Sequence, residues 1–266
     1  AYTRKPARAA PHAAQAACGR PSCAAYIVHP KTVSLLTFKK GRRNVIARIE
    51  VFCGNYGSGK TEITLERAFS LDPKPTLVDL DIVNPYFRSS EHREELEAHG
   101  VTVYAPTFAG TTLDIPSLPA ELYAVFADKH THVLFDVGGD PAGAAALGRF
   151  FPYFQADDAR MFFVVNIRRP FTETAEAITD LASMITARAR IPIAGLINNT
   201  NLQDETTARD VEEGQLVVEK AARLLGVPIA AIYATERVLN SLPDDFRATY
   251  SDLLCPLTRR MKPDFI

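Results

Sequence analysis

The chain has 266 residues, 47% of them hydrophobic and 23% charged, enough to bury one sizeable core, so a single α/β domain is the default expectation. Its longest apolar stretches, such as 161–165 and 229–233, have strand length, and none reaches the roughly 18 residues a membrane-spanning helix needs. The net charge of −1 hides a division: residues 1–49 hold ten Lys or Arg and no acid, which leaves 20 basic and 31 acidic residues from Glu50 onward, a net of −11. Such an acidic body argues against a large nucleic-acid footprint on the folded domain.

Residues 1–43 are rich in Ala, Pro and Arg and lack periodicity. Their composition fits a transit peptide, a basic arm for nucleic acid or an anionic membrane, or an extension that folds into nothing. The last is the expectation here, with the folded domain running over 44–266. The four cysteines (Cys18, Cys23, Cys53, Cys255) form no C-x-x-C pair and no disulfide framework. Cys18 and Cys23 lack the further ligands a metal would need. Cys53 reads as a reduced core thiol, and a cytoplasmic compartment follows from that usage.

From Arg48 a regular alternation begins. Apolar strands are predicted at 48–53, 75–80, 101–105, 132–137, 160–166, 193–198 and 229–233. Helices are predicted at 60–70, 91–99, 120–129, 142–150, 172–188 and 211–225, with Thr172 as the cap of the fifth and Gly226 ending the sixth. Seven strands separated by helices imply right-handed crossovers, and so a three-layer α/β fold: a mostly parallel sheet with helices on both faces.

The chemistry is concentrated at strand ends. Gly54-Asn55-Tyr56-Gly57-Ser58-Gly59-Lys60-Thr61 satisfies G-x-x-x-x-G-K-[ST] in full, after an apolar strand and before a helix, and Glu62 follows it. Glycines let successive N–H groups converge on phosphate oxygens, and the helix N-terminus adds its positive end. Lys60 is expected at the β- and γ-phosphates and the Thr61 hydroxyl on Mg²⁺. Asp136 closes the run 133–136 and is the expected acidic partner of that metal. It opens Asp136-Val137-Gly138-Gly139, in which the Gly139 N–H can report a γ-phosphate. A helix-capping role for Asp136 is the plainer alternative.

Asp79 and Asp81 share one face of the second strand by alternation, at the sheet edge where α/β ligands bind. Asp81 is expected to position the attacking water and to help hold the metal, and Asp79 to support the loop that follows; two solvated loop acids would look the same. At the end of a later strand, Asn198 and Asn199 can both donate and accept, which suits an adenine edge, although Asn is also a common turn former. A guanine-reading N-K-x-D motif is missing, since Asn199 and Asn201 stand in place of its Lys and Asp. ATP is therefore expected over GTP.

With these residues the chain resembles the MinD/ParA/Mrp-type branch of P-loop ATPases, which includes the ATP-binding domains of cobyrinic acid and dethiobiotin synthetases. The resemblance covers about 48–266 and rests on GNYGSGKTE, LVDLDIVNPYFR, FDVGGDPAGAAALGRF and GLINNTNLQDETT. It implies Mg-ATP binding, slow hydrolysis and a nucleotide-gated change of protein partner. It matches Lys60 and Thr61 to the phosphate and Mg²⁺ contacts, Asp81 to the water-positioning Asp, Asp136 to the Walker B Asp, and Asn198 or Asn199 to the base contact. One departure is Asn55, where MinD and ParA proteins carry a second Lys that crosses to the other subunit, so a homodimer is open. The C-terminal stretch 253–266 is broken by Pro256 and Pro263 and offers no membrane helix. A regulatory or assembly ATPase is the leading expectation. The alternatives are a small-molecule kinase or ligase, with a pocket at Asn84, Arg88 and Phe108–Leu113, and a GTPase metallochaperone.

Overall fold

The computed structural model describes residues 47–80, 92–104, 120–139 and 141–261. The extension 1–43, Asp81, Asn84, Arg88 and the 108–113 loop lie outside the described residues. In chain order the elements are β1 (Ile49–Gly54), α1 (Lys60–Ser70), β2 (Thr76–Leu80), α2 (Arg93–Ala98), β3 (Thr102–Tyr104), α3 (Ala120–Ala127) and β4 (Val133–Val137). Then come α4 (Pro141–Arg149), α5 (Phe151–Ala156), β5 (Arg160–Val165), α6 (Ala175–Ala189), β6 (Ile193–Asn198) and α7 (Ala208–Leu225). The chain closes with β7 (Ile229–Ala234), α8 (Glu236–Ser241), α9 (Asp244–Thr249) and β8 (Leu254–Pro256).

Among the described residues the strands form one sheet in the order β3-β2-β4-β1-β5-β6-β7-β8, and every pair is parallel. β1 therefore lies between β4 and β5. The chain first builds the β2–β3 edge and then crosses to the other side, so a crevice opens at the carboxyl end of β1. Alternation along β1 sorts its side chains into two cores. Ile49, Val51 and Cys53 join residues of α3 to α7, whereas Phe52 packs with Ile63 and Leu65 of α1 and Leu96 of α2. Helices thus cover both faces of a nearly all-apolar sheet, as parallel strands require.

One ionic contact fastens α1 to this frame. Arg67 donates from Nε and Nη2 to the two carboxylate oxygens of Glu50, each at 2.8 Å, and both side chains are buried. The fork makes a two-bond contact that a lysine could not reproduce. Burial alone would raise the Glu50 carboxyl; Arg67 and the nearby His132 outweigh it and hold the group down to about 2.

The departures from the sequence reading have local causes. α6 begins at Ala175 with Thr174 as its cap, its side chain accepting from the Ala177 N–H at 3.2 Å. Thr172 is not the cap: its hydroxyl lies 2.7 Å from the Asn166 carbonyl and 3.0 Å from that of Arg169, and it is buried in the turn before the helix. α7 starts three residues early at Ala208, behind a capping box of Thr207 and Asp210. α5 was not predicted. It exists to place Phe154 edge-on against Phe135 and Phe126, at 5.2 and 5.5 Å between ring centres. The eighth strand, α8 and α9 are too short to show a period. Burial pushes the Cys53 thiol up to about 12, with Lys60 pulling weakly the other way, so it is an inert core group. Among the described residues no helix is long and apolar enough to cross a membrane.

Candidate functional site

Glycine carries the chain from β1 into α1. Gly59 has φ 86° and caps α1 without any side-chain bond, which leaves the first N–H groups of the helix uncapped by side chains. A Cβ on Gly59 would sit 2.2 Å from Asn199 Nδ2, so only glycine lets the loop after β6 approach this closely. Lys60 and Thr61 begin the helix, both buried, and Lys60 Nζ lies 3.4 Å from the Asn55 carbonyl. The Asn55 amide is also engaged, donating to the Pro170 carbonyl.

On the α1 side of the sheet two acids stand together. Asp136 of β4 is fully buried and registers with Phe52 of β1 on one side and Asp79 of β2 on the other. Leu134 and Leu77 lie one alternation earlier, in the core beneath α1, so Asp136 and Asp79 share that face. The sequence pairs Asp79 with Asp81; the fold places Asp79 beside Asp136. After β4 the chain turns so that the Gly139 backbone lies against the start of the phosphate loop: a Cβ there would be 1.8 Å from the Gly54 carbonyl oxygen. Asp136, Gly139 and the loop therefore form one contiguous wall.

The third wall follows β6. Asn199 is only 1% exposed, and its Nδ2 donates to the Ser58 carbonyl at 2.8 Å. Its Oδ1 is buried with no hydrogen-bond partner among the described residues, as is the Ser58 hydroxyl. Asn198 has turned the other way. Its Nδ2 is 3.2 Å from both the Val211 carbonyl and Gln215 Oε1 of α7, and its Oδ1 accepts from the Thr200 N–H at 3.0 Å. It fastens α7 to the sheet and does not line the cavity. Asn201 uses Nδ2 on the Asn199 carbonyl and Oδ1 on the Gln203 N–H.

The phosphate loop, the segment after β6 and the end of β7 line a cavity of about 300 Å³, running from Lys60 and Thr61 past Asn199 to Thr235; Asp136 and Gly139 are not among its lining residues. Two of its walls are missing from the sequence reading. Arg169, from the loop after β5, lies over Gly57 and donates from Nε to its carbonyl at 3.2 Å. The segment after β8 brings Leu257, Arg259 and Met261 to the far side. Glu62, which follows Thr61 in α1, holds that segment by accepting from the N–H groups of Arg260 at 3.0 Å and Met261 at 2.7 Å. Burial raises the Glu62 carboxyl, against the pull of those two donors. An arginine in the loop after a strand's carboxyl end is the one sequence signal that marks Arg169.

A parallel sheet whose central strand enters a full G-x-x-x-x-G-K-[ST] loop and helix, with an acid ending the next strand, defines the P-loop NTPase fold. No protein-family model matches the sequence, and no curated protein does. Among solved structures the chain is similar to cell division protein FtsY of Thermotoga maritima, at 17% identity over 77% of this chain and 68% of that one, with a TM-score of 0.46. It is similar at 15% identity to two structures of signal recognition particle receptor FtsY of Elizabethkingia anophelis. One spans 75% of this chain and 63% of that one with a TM-score of 0.40; the other, in complex with GDP, spans 80% and 64% with a TM-score of 0.44. The chain thus covers less than two thirds of the length of the chain in both Elizabethkingia structures.

Proposed function

We propose that this chain is a Mg-ATP-binding P-loop ATPase of the MinD/ParA/Mrp type, a slow cytoplasmic hydrolase whose nucleotide-gated loops serve a regulatory or assembly role. Asn199 carries the choice of nucleotide. One of its amide N–H groups is given to the Ser58 carbonyl, and its Oδ1 is a buried acceptor, without a partner among the described residues, beside the phosphate loop. Adenine presents an amino donor at its six-position and guanine a carbonyl acceptor, so a free Oδ1 suits adenine and repels guanine. Asn201 adds to this, because an amide already bonded on both sides offers no carboxylate to guanine's N–H groups.

The residues at the other end suit the phosphates. Lys60 and the uncapped N–H groups of α1 supply positive charge. The Thr61 hydroxyl and the Asp136 carboxylate are hard oxygen donors of the kind Mg²⁺ takes, and would hold it. When bound, the ion supplies charge neutralisation across the β- and γ-phosphate oxygens. Asp81 is proposed to orient the attacking water, and Gly139 to change position with the γ-phosphate because it rests on Gly54. Asn55 spends its amide on Pro170 of the same chain, which favours a mechanism complete within one subunit; the protein partner follows from the switch design. Asp136→Asn should lower Mg-dependent ATP turnover at least a hundredfold, the size of several kcal/mol of lost charge stabilisation. Turnover that survives that change would contradict the reading.

A further inference from the structure

Two adjacent arginines leave β5, and they are used in opposite ways. Arg168 donates from Nε and Nη2 to Asp210 at 3.0 and 2.8 Å, and from Nη2 to Glu213 at 2.5 Å, so its charge is consumed in tying α7 to the sheet. Arg169 makes no ion pair among the described residues, in a chain that holds 31 acids from Glu50 onward. Its one side-chain hydrogen bond there is from Nε to the Gly57 carbonyl, and its side chain lies on Gly57, with Cδ and Cζ 3.4 and 3.5 Å from where a Cβ would stand. The remaining donors of the fork belong to a group lining the same cavity as Lys60, Thr61 and Asn199.

The loop that presents Arg169 is held from several sides. Asn166, fully buried, accepts at Oδ1 from the N–H groups of Arg168 at 3.0 Å and Asn201 at 3.2 Å, and donates from Nδ2 to the Asn201 carbonyl at 3.1 Å. The Arg169 N–H donates to the Asn166 carbonyl at 3.1 Å, and Asn55 holds Pro170 from the phosphate loop. Phe171 sits at φ 67° with 72% of its surface exposed, a left-handed backbone on a bulky residue that only an over-determined turn maintains. A positively charged fork fixed in this way over a phosphate cradle is pre-organised for an anion.

We infer that Arg169 is a phosphate-binding residue of this site, a second cation beside Lys60 that contacts the diphosphate portion of the bound nucleotide from within the same chain. The inference rests on the nucleotide-binding reading and deepens it. Because a contact to the diphosphate is made by ADP and ATP alike, both should weaken together. Calorimetric titration with MgADP and MgATP at 50 and 300 mM salt, on wild type, Arg169→Ala, Arg169→Lys and Arg168→Ala, tests it. The expected result is an affinity loss of about tenfold for both nucleotides in Arg169→Ala, a shallower salt dependence, partial recovery in Arg169→Lys, and an unchanged melting temperature without nucleotide. Arg168→Ala should show the reverse: a lower melting temperature with affinity retained. Unchanged affinity in Arg169→Ala would overturn the inference, as would a loss matched by an equal fall in melting temperature with no change in salt dependence. Wild type that binds neither nucleotide would overturn the underlying reading and this inference with it, and the wild-type titration alone reveals that case.

Discussion

Asn199 donates to the Ser58 carbonyl at 2.8 Å across 141 residues of chain, so the loop after β6 and the phosphate loop after β1 form one rigid unit. The bond also orients the amide and leaves its oxygen buried beside the loop, without a partner among the described residues. On the proposed function, base recognition and phosphate recognition would be coupled through this single side chain.

Replacing Asn199 by Ala should weaken MgATP binding by about tenfold, the worth of one buried hydrogen bond of about 1–2 kcal/mol. MgGTP binding should stay level or tighten, since the acceptor that opposes guanine is gone, so the ratio of the GTP to the ATP dissociation constant falls. Competition titration reads that ratio directly, and an unchanged ratio would mean that Asn199 only braces the loop.

Gly139→Ala places a methyl group 1.8 Å from the Gly54 carbonyl oxygen, a contact that backbone movement alone can relieve. The expected loss is about 1–3 kcal/mol in urea unfolding, as for other overpacked sites, together with weaker triphosphate binding. Wild-type stability in this variant would show that the segment after β4 is not seated on the phosphate loop.

Glu50 gives the protein an acid limit. Its carboxyl is held at about 2 in the folded chain against an ordinary value of 4.5, because Arg67 and His132 outweigh the opposing effect of burial. A lowered folded-state value contributes stability above pH 4.5 that is lost as pH falls toward 2. Arg67→Met strands that carboxylate and should cost about 3–5 kcal/mol at pH 7. The deficit should shrink as the pH falls and Glu50 takes up a proton. Urea unfolding at pH 7 and pH 3 measures both points, and a deficit independent of pH would contradict the ion-pair account.

Glu62 has the opposite sign. Burial raises its carboxyl above 4.5 despite the Arg260 and Met261 donors, so its contribution is full below pH 4.5 and is lost as the pH rises through its folded-state value. Glu62→Gln keeps an acceptor for the C-terminal segment without the buried charge. It should therefore match wild type in acid and exceed it slightly at neutral pH, as thermal melts across that range would show. A variant less stable at neutral pH would mean that the charge itself holds the segment.

What could be read from the sequence was whatever has a local cause. The limits of α1 and β6 follow from the glycine loop, the apolar run and the turn residues beside them. The choice between Asn198 and Asn199 does not, because it depends on which sheet face carries which helix. Asn198 falls on the face of Leu196 and α7, and Asn199 on the side of α1. Arg169 was hidden for a related reason: beside Arg168 it looks like any surface cation, and only the fold pairs one with Asp210 and lays the other on Gly57. The segment after β8 lacks a period to read, since Glu62 and Glu66 of α1 position it from some 200 residues away.

Nucleotide-dependent thermal stabilisation is the direct check on ATP binding at the loop Gly54–Thr61. Wild type and Lys60→Ala are melted with Mg-ATP and Mg-GTP side by side. At a hundred times its dissociation constant a ligand adds about 2.7 kcal/mol, or roughly 5 °C or more for a domain of this size. The expected result is that shift with ATP, little with GTP and none in Lys60→Ala. A larger shift with GTP would contradict the role given to Asn199, and no shift with either nucleotide would contradict the site.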